Sequence, residues 1–168
     1  AGYSEKFIKD AKIIIVCIGT PVDNQLKPDL KSFLNFFRYL KKIISKNQTI
    51  IIRSSVYPGI TNKVKLILKG KNSNIVYCPE RILQGKSLVE LPKLPQIISA
   101  YNKKSLSVSK SLFKKVTKKI IVTSILEAEL IKLFSNAWRY INFATSNQFH
   151  MICNDFNVNF NKIRNSMM

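Results

Sequence analysis

Short apolar segments alternate with amphipathic segments as far as Val122, and this alternation restricts the fold of the chain more than any other feature. The predicted strands are Lys12–Gly19, Thr49–Ser54, Asn74–Tyr77, Gln96–Ala100 and Lys119–Val122. The segments with helical spacing are Leu30–Lys46, Thr61–Lys69 and Lys103–Lys115. Strands that alternate with helices predict an α/β fold with a largely parallel, Rossmann-like sheet, in which the loops after the strands share one edge.

The character of the sequence changes at Ser124. Leu126–Phe156 contains neither proline nor glycine, and its apolar residues cover nearly every face of a helix. A helix that is apolar all round is usually buried on all sides, so we expect the long helix of a second, all-helical domain or a subunit interface. Another helix is predicted from Asn159 to Met168. The predicted domains are therefore 1–123 and 124–168.

Composition excludes several classes of protein. The apolar fraction of 46% is sufficient for a packed core, and no run reaches the roughly 18 apolar residues that span a bilayer. Cys17, Cys78 and Cys153 lie far apart in apolar surroundings, which predicts buried, reduced thiols in a cytosolic protein. His150 is the only histidine, so the chain cannot build a histidine-based metal site or a Ser-His triad.

The net charge of +19 is the composition's one strong hint of a binding partner. A basic domain can bind nucleic acid or an anionic membrane. The lysines are spread along the whole chain, however, which indicates a solvated surface. We therefore expect neither nucleic acid nor membrane as the main partner, although anionic ligands would still be attracted.

Several polar residues stand where an α/β protein could use them in chemistry. Glu80 follows a predicted strand and could act as a general base, or it could be an ordinary turn residue that pairs with a lysine. Lys132 and Asn136 lie one helical turn apart and could stabilise an oxyanion, with Arg139 on the same side. The alternative is a helix edge that faces solvent. Hydroxyl-bearing residues that directly follow strands are Thr20 and Ser55, which also suit turns or caps.

Taken together, these signals form a specific pattern. Four segments occur in order, and they are Gly19–Asp23, Arg53–Gly59, Tyr77–Leu83 and Glu127–Tyr140. This series resembles the UDP-glucose/GDP-mannose 6-dehydrogenase family, and most of all its members that oxidise UDP-N-acetylmannosamine or related amino sugars. The resemblance extends over essentially the whole chain. It implies the later part of an NAD-binding Rossmann domain, followed by the beginning of a central helical dimerisation domain.

The resemblance also implies the chemistry, which is an NAD-dependent four-electron oxidation in polysaccharide biosynthesis. A sugar C6 alcohol becomes an aldehyde, is trapped on a cysteine, is oxidised to a thioester and is hydrolysed to the acid. Glu80 matches the glutamate that handles water or its proton, and Lys132 and Asn136 match the pair that stabilises the oxyanion. The implied partners are a UDP-sugar and a second copy of the protein, paired through the long helix.

The resemblance assigns binding roles to further residues. Those implied near NAD are Thr20, Ser55 and Gln84. Those implied to line the nucleotide-sugar are Arg81, Ile82, Leu83 and Arg139.

The chain departs from the family pattern at several points. Ser55 replaces the usual threonine, and Gln84 stands where several UDP-glucose enzymes have a glutamate, which makes UDP-glucose a less favoured substrate. The sequence has no Gly-x-Gly-x-x-Gly motif and no cysteine in a glycine-rich setting. We therefore expect an internal fragment that does not turn over alone. Two alternatives stay open, a β-hydroxyacid or 6-phosphogluconate-type dehydrogenase fragment and a non-catalytic basic binding module.

Overall fold

A computed structural model describes residues 4–20, 29–71, 74–82, 85 and 87–167. The strands are β1 (Ile13–Val16), β2 (Thr49–Ile52), β3 (Ile75–Tyr77), β4 (Gln96–Ala100) and β5 (Ile120–Val122). The helices are α1 (Glu5–Asp10), α2 (Leu30–Ile43), α3 (Ile60–Leu68), α4 (Ser87–Glu90), α5 (Lys103–Phe113), α6 (Ile125–Asp155) and α7 (Phe160–Met167). The chain divides into two compact units, residues 1–132 and 133–168, so α6 begins in the first unit and continues into the second.

The five strands form one sheet in the order β1-β2-β3-β4-β5. β1, β2 and β3 are parallel, which confirms the predicted α/β class. β4 pairs antiparallel with β3, and β5 pairs parallel with β4. A parallel return needs a long crossover, but the segment between β3 and β4 has only the four-residue helix α4 among its described residues. The expectation that all loops after strands share one edge is therefore wrong for β4 and β5.

The reversal of β4 has a consequence for the edge where β1, β2 and β3 end. Because Tyr77 pairs with Ser99, the chain that follows β3 runs beside the beginning of β4. Gln96, the first residue of β4, therefore lies at the carboxyl edge of the parallel strands.

The first unit has a buried apolar core of its own. All four residues of β2 are buried, as expected for a central strand covered on both faces. α2 packs on the sheet through Phe33, Phe37 and Leu40, which recur at helical spacing. Asp29 caps α2 by accepting a hydrogen bond from the Ser32 N–H at 3.1 Å, which fixes where this helix begins.

The second unit exposes most of its apolar residues. Phe134 is 66% exposed, Trp138 68% and Ile141 56%, although the sequence predicts burial for the apolar faces of this helix. Within the described part of this unit the only other helix is α7, whose contacts include a His150–Phe160 ring pair with centroids 5.5 Å apart. The described part of this unit contains too little other surface to cover the helix, so burial of α6 against a further helical domain or a second subunit stays a prediction.

Among the described residues, no helix is both long and apolar enough to cross a bilayer.

The three cysteines differ in burial. Cys78 and Cys153 are buried and free as predicted, but Cys17 is exposed, so the prediction of burial is wrong at that position. Cys17 comes directly after β1, which among the described strands has a neighbour on one side only.

Candidate active site

Glu80 lies just past β3, at the carboxyl edge of the parallel strands. Two backbone hydrogen bonds hold its segment against the preceding strand, since the Cys78 N–H donates to Ile52 at 2.9 Å and the Glu80 N–H donates to Arg53 at 3.2 Å. The carboxylate forms an ion pair with the Arg53 guanidinium. Its Oε1 atom also accepts hydrogen bonds from the backbone N–H groups of Arg81 at 2.8 Å and Ile82 at 3.0 Å. The placement agrees with the position that the sequence indicated.

The surroundings of Glu80 determine its charge. Burial by itself would raise the pKa of Glu80, but the hydrogen bond and charge of Arg53, with the N–H groups of Ile82 and Arg81, hold that pKa below its ordinary value. The group is therefore a carboxylate at neutral pH. Because a strong general base needs a pKa near the working pH, this geometry favours a hydrogen-bond acceptor that orients a water or hydroxyl over a group that removes a proton unaided.

The loops that follow β1 and β2 meet through Thr20 and Ser55. The Thr20 hydroxyl donates a hydrogen bond of 2.8 Å to the Ser55 carbonyl, and the Arg53 N–H donates to Val16 at 2.9 Å. The neighbouring Ser54 hydroxyl is buried and has no hydrogen-bond partner among the described residues. The structure thus brings together the two residues predicted to lie near a cofactor, with a further hydroxyl beside them.

The predicted sugar-binding loop is described only in part. Arg81 and Ile82 follow Glu80, and both are half-buried, with their backbone N–H groups bound to its carboxylate. Leu83 and Gln84, predicted to contact substrate and cofactor, lie outside the described residues. The loop is therefore anchored to Glu80 at its start.

The predicted oxyanion residues lie on α6. Lys132 is 8% exposed, so the alternative of a lysine at a solvated helix edge is wrong for this residue. Asn136 and Arg139 are half-buried and belong to the second unit. Helical geometry places the three residues on one side of α6, since they are four and three positions apart. Convergence of Lys132 and Asn136 with Glu80 on one pocket stays a prediction.

Glu129 is a structural residue that the sequence reasoning did not single out. Its buried carboxylate accepts hydrogen bonds from the backbone N–H groups of Gly59 at 2.6 Å and Thr61 at 2.8 Å. Gly59 is the N-cap of α3 and has φ 89°, a conformation that favours glycine. Burial and the charge of Glu129 raise the pKa of Tyr101 to about 12. An acidic residue on an otherwise apolar helix was the available signal for this contact.

Cys78 lies within this cluster of polar side chains, but its chemistry is that of a packed thiol. Burial raises the pKa of Cys78 to about 12, which outweighs the opposite effect of the Arg53 charge. A thiol that stays protonated at neutral pH is a poor nucleophile. The geometry agrees with the sequence interpretation, which gave none of the three cysteines a nucleophilic role.

This edge of the sheet has the position at which α/β proteins with parallel strands bind their ligands. Comparison of sequences gives the family. Residues 3–117 match the NAD binding domain of the UDP-glucose/GDP-mannose dehydrogenase family, and residues 126–168 match its central domain. The chain therefore belongs to the UDP-glucose/GDP-mannose dehydrogenase family. NAD is the cofactor of the domain that residues 3–117 match, as the resemblance implied.

Individual relatives agree with this assignment. The UDP-N-acetyl-D-mannosamine dehydrogenase of Methanococcus vannielii is 36% identical over 154 residues, a stretch that covers 89% of this chain and 36% of the relative. The enzyme of the same name from Pyrococcus horikoshii is 27% identical over 160 residues. The chain thus spans little more than a third of the length of the curated relatives that it matches.

Solved structures show the same fold. A UDP-D-ManNAc dehydrogenase from Pyrococcus horikoshii superposes with a TM-score of 0.81 at 25% identity, over 95% of this chain and 40% of that chain. A GDP-mannose dehydrogenase from Pseudomonas aeruginosa superposes with a TM-score of 0.87 at 19% identity, over 96% and 40% of the two chains.

Proposed function

We propose that this chain is the central portion of an NAD-dependent nucleotide-sugar 6-dehydrogenase, which oxidises the C6 alcohol of a UDP-sugar to a carboxylate for polysaccharide biosynthesis. The observation that carries the proposal is the Glu80 carboxylate at the carboxyl edge of the parallel strands. It pairs with Arg53 and accepts hydrogen bonds from the backbone N–H groups of Arg81 and Ile82, which hold the start of the following loop. The 36% identity to a protein named UDP-N-acetyl-D-mannosamine dehydrogenase supports an amino sugar as the substrate.

In this proposal residues 1–123 form the later part of the NAD-binding domain, and residues 124–168 begin the central dimerisation domain. NAD supplies the acceptor for hydride. The residues present suit a dinucleotide, because Thr20 and Ser55 meet at the ends of β1 and β2 and the buried Ser54 hydroxyl beside them is unpaired among the described residues. Gln84 completes the predicted cofactor contacts.

The remaining predicted residues act on the sugar. Glu80 accepts a hydrogen bond from a water or from the reacting hydroxyl and so orients it. Lys132 and Asn136 donate to the oxygen that becomes negative as the aldehyde and the thioester react. The residues that line the sugar are Arg81, Ile82, Leu83 and Arg139. Free thiols at Cys78 and Cys153 favour a reducing, cytosolic setting for this chemistry.

The apolar side chains on α6 require a partner surface, and we assign that role to a second copy of the protein. Phe134, Trp138 and Ile141 recur at helical spacing and are each more than half exposed. A large apolar face of this kind is typical of a stable homodimer interface. Sedimentation of the full-length protein should therefore show a dimer, and Trp138→Glu should dissociate it. Leu66→Glu, at a 62% exposed apolar position on α3, is the matched control and should leave the dimer intact.

The proposed activity is tested with the full-length protein that contains this chain. NADH formation is followed with UDP-N-acetylmannosamine, UDP-glucose, GDP-mannose and 6-phosphogluconate as substrates. We expect the highest kcat/KM with the UDP-amino sugar and no turnover of 6-phosphogluconate. A preference for 6-phosphogluconate would favour the β-hydroxyacid-type alternative, and activity of the 168-residue chain alone would show that the required residues have been misjudged.

A further inference from the structure

Arg53 is a buried cation that no part of the proposed reaction uses. It directly follows β2 and is 7% exposed. Its Nη1 atom contacts the Cys78 Sγ atom at 3.2 Å and donates a hydrogen bond of 3.2 Å to Gln96 Oε1, while its Nη2 atom donates to Glu80 Oε2. Its Cζ atom lies 5.0 Å from the centroid of the Phe113 ring.

These contacts come from residues next to or within β3, β4 and α5. Cys78 and Glu80 follow β3, Gln96 begins β4, and Phe113 ends α5. A buried charge is costly unless it is paired and hydrogen-bonded, and Glu80 is its only ion-pair partner among the described residues. The positions of Arg53 and Glu80 are therefore interdependent, and the planar guanidinium is the group that fixes them.

The hydrogen bonds of Glu80 leave limited capacity for anything else. A carboxylate has about four acceptor positions. Among the described residues, three donors occupy them, which are the Arg53 guanidinium and the N–H groups of Arg81 and Ile82. About one position on Oε2 remains, and the Glu80 side chain is 39% exposed. The carboxylate can thus accept about one hydrogen bond from a bound molecule, in a direction set by Arg53.

We propose that Arg53 is a positioning residue, whose guanidinium orients the Glu80 carboxylate so that one acceptor position faces the reacting group. This inference rests on the proposed function, because it assumes that Glu80 contacts the substrate or the water. Gln96 and Phe113 hold the guanidinium in turn, and so the first residue of the reversed strand β4 and the last residue of α5 support the site. The planar donor fork of Arg53 suits this role better than an ammonium group, which would keep the positive charge but not the fixed, coplanar contacts with Glu80 and Gln96.

The ionisation of Glu80 provides a direct readout. The charged or titratable groups that face it among the described residues are Arg53 and the Cys78 thiol. Burial raises the pKa of Cys78 to about 12, so this thiol stays neutral through the acidic range. Arg53 lowers the pKa of Glu80, and its removal should therefore raise that pKa.

The first experiment measures Glu80 without any need for activity. The carboxyl carbon of Glu80 is titrated by NMR in the full chain and in Arg53→Met and Arg53→Lys. We expect the titration midpoint to rise in Arg53→Met and to rise less in Arg53→Lys. Arg38→Met is the matched control, because Arg38 is exposed on α2 and bonds Asn35. An unchanged midpoint in a folded Arg53→Lys or Arg53→Met chain would overturn the proposal.

The second experiment uses the full-length protein and its pH profile. Arg53→Met should lower kcat by about 10²-fold, as misplacement of a reacting group can do, with little change in KM for NAD. The acid limb of kcat/KM should move to higher pH, and Arg53→Lys should restore part of the rate. If Arg53→Met does not fold, Arg53→Lys alone decides, and a wild-type rate and acid limb in that variant would overturn the proposal.

A further variant, Glu80→Gln in the full-length protein, separates the inference from the function on which it rests. If Glu80→Gln leaves the rate unchanged, the assigned role of Glu80 fails, and Arg53 then has no catalytic group to position. If Glu80→Gln removes activity while the Arg53 variants keep the wild-type rate and titration, the proposed function stands and this inference fails.

Discussion

The two units of the chain use apolar residues in opposite ways. In the first unit, Phe37 of α2 and Ile51 of β2 are fully buried, because strands and helices from the same unit cover them. In the second unit, Phe134 and Trp138 of α6 are about two-thirds exposed. The amino-acid pattern predicts burial in both places. The difference shows that an apolar pattern predicts which residues need to be covered by other protein surface. The pattern does not show whether the same chain or another chain supplies that surface.

This contrast follows from the amount of secondary structure in each unit. The first unit has a five-stranded sheet with helices packed on it, and its core extends across β1, β2 and β3. The described part of the second unit has the long arm of α6 and the eight-residue helix α7. Burial of apolar area stabilises a fold by about 25 cal/mol per Å². The exposed apolar side chains on the part of α6 in the second unit therefore contribute little to the stability of this chain by itself.

The largest expected effect concerns the core of the first unit. Phe37→Ala should lower the free energy of unfolding of the chain by about 3–5 kcal/mol, because it removes a fully buried ring and leaves a cavity. Phe134→Ala is the matched control in the second unit and should change it by less than about 0.5 kcal/mol in the monomer. Urea denaturation measures both. Equal losses of unfolding free energy from the two variants would contradict the difference in burial between the two units.

Lys132 is the last residue of the first unit and has the proposed role of oxyanion donor. In the full-length protein, Lys132→Ala should lower kcat by about 10²–10³-fold, since a lost oxyanion donor acts mainly on the transition state. The dissociation constant for NAD should change little. Lys104→Ala, at an exposed position of α5, serves as the control and should have no effect. A weakened NAD complex with normal kcat would contradict the assigned role.

Within the first unit, Glu129 connects the first part of α6 to the beginning of α3. Glu129→Ala should lower the unfolding free energy by about 1–3 kcal/mol, because the buried N–H group of Thr61 and the half-buried N–H group of Gly59 lose their acceptor. Glu127→Ala removes an exposed carboxylate that accepts from the Ser124 N–H, and thermal or urea unfolding should show a smaller loss. If the exposed residue proves the more important one, the role given to Glu129 is wrong.

The smallest expected effect is the pH dependence that comes from Glu80. Its pKa is lowered in the folded chain, so its contribution to stability is present above the unfolded pKa and is lost as the pH falls through the folded pKa. The contribution should be below about 1 kcal/mol, since the side chain is partly exposed. The urea midpoint should fall between neutral and acidic pH in the wild type, and it should fall by less in Glu80→Gln. Parallel pH profiles would argue against an ionised Glu80.

The sequence predicts the local features of this fold well. The long helix was expected over Leu126–Phe156 and is found at Ile125–Asp155, because a segment without glycine or proline has no internal stop signal. β4 was predicted with the correct bounds but with the wrong direction, since strand direction depends on the connection and not on the strand's own residues. The short helix α4 lies between Tyr77 and Gln96, where the sequence predicted neither a strand nor a helix.

The candidate site could be predicted in part for the same reason. Glu80 and the Thr20–Ser55 pair follow strands, and the positions after parallel strands can be read from the sequence. The contact of Arg53 with Gln96 and Phe113 could not be read, because it depends on the reversal of β4 and on packing between residues distant in the chain. The exposure of α6 could not be read either, because it depends on how much other surface the described part of the second unit contains.

In the proposed function, this chain belongs to an enzyme that oxidises the C6 alcohol of a UDP-sugar through to the acid. The most direct measurement is the ratio of NADH formed to carboxylate product released by the full-length protein with UDP-N-acetylmannosamine. Oxidation of an alcohol to an acid removes four electrons and each NAD accepts two, so we expect two NADH for each product molecule. One NADH for each released aldehyde or ketone, or no NADH with any UDP-sugar, would contradict it.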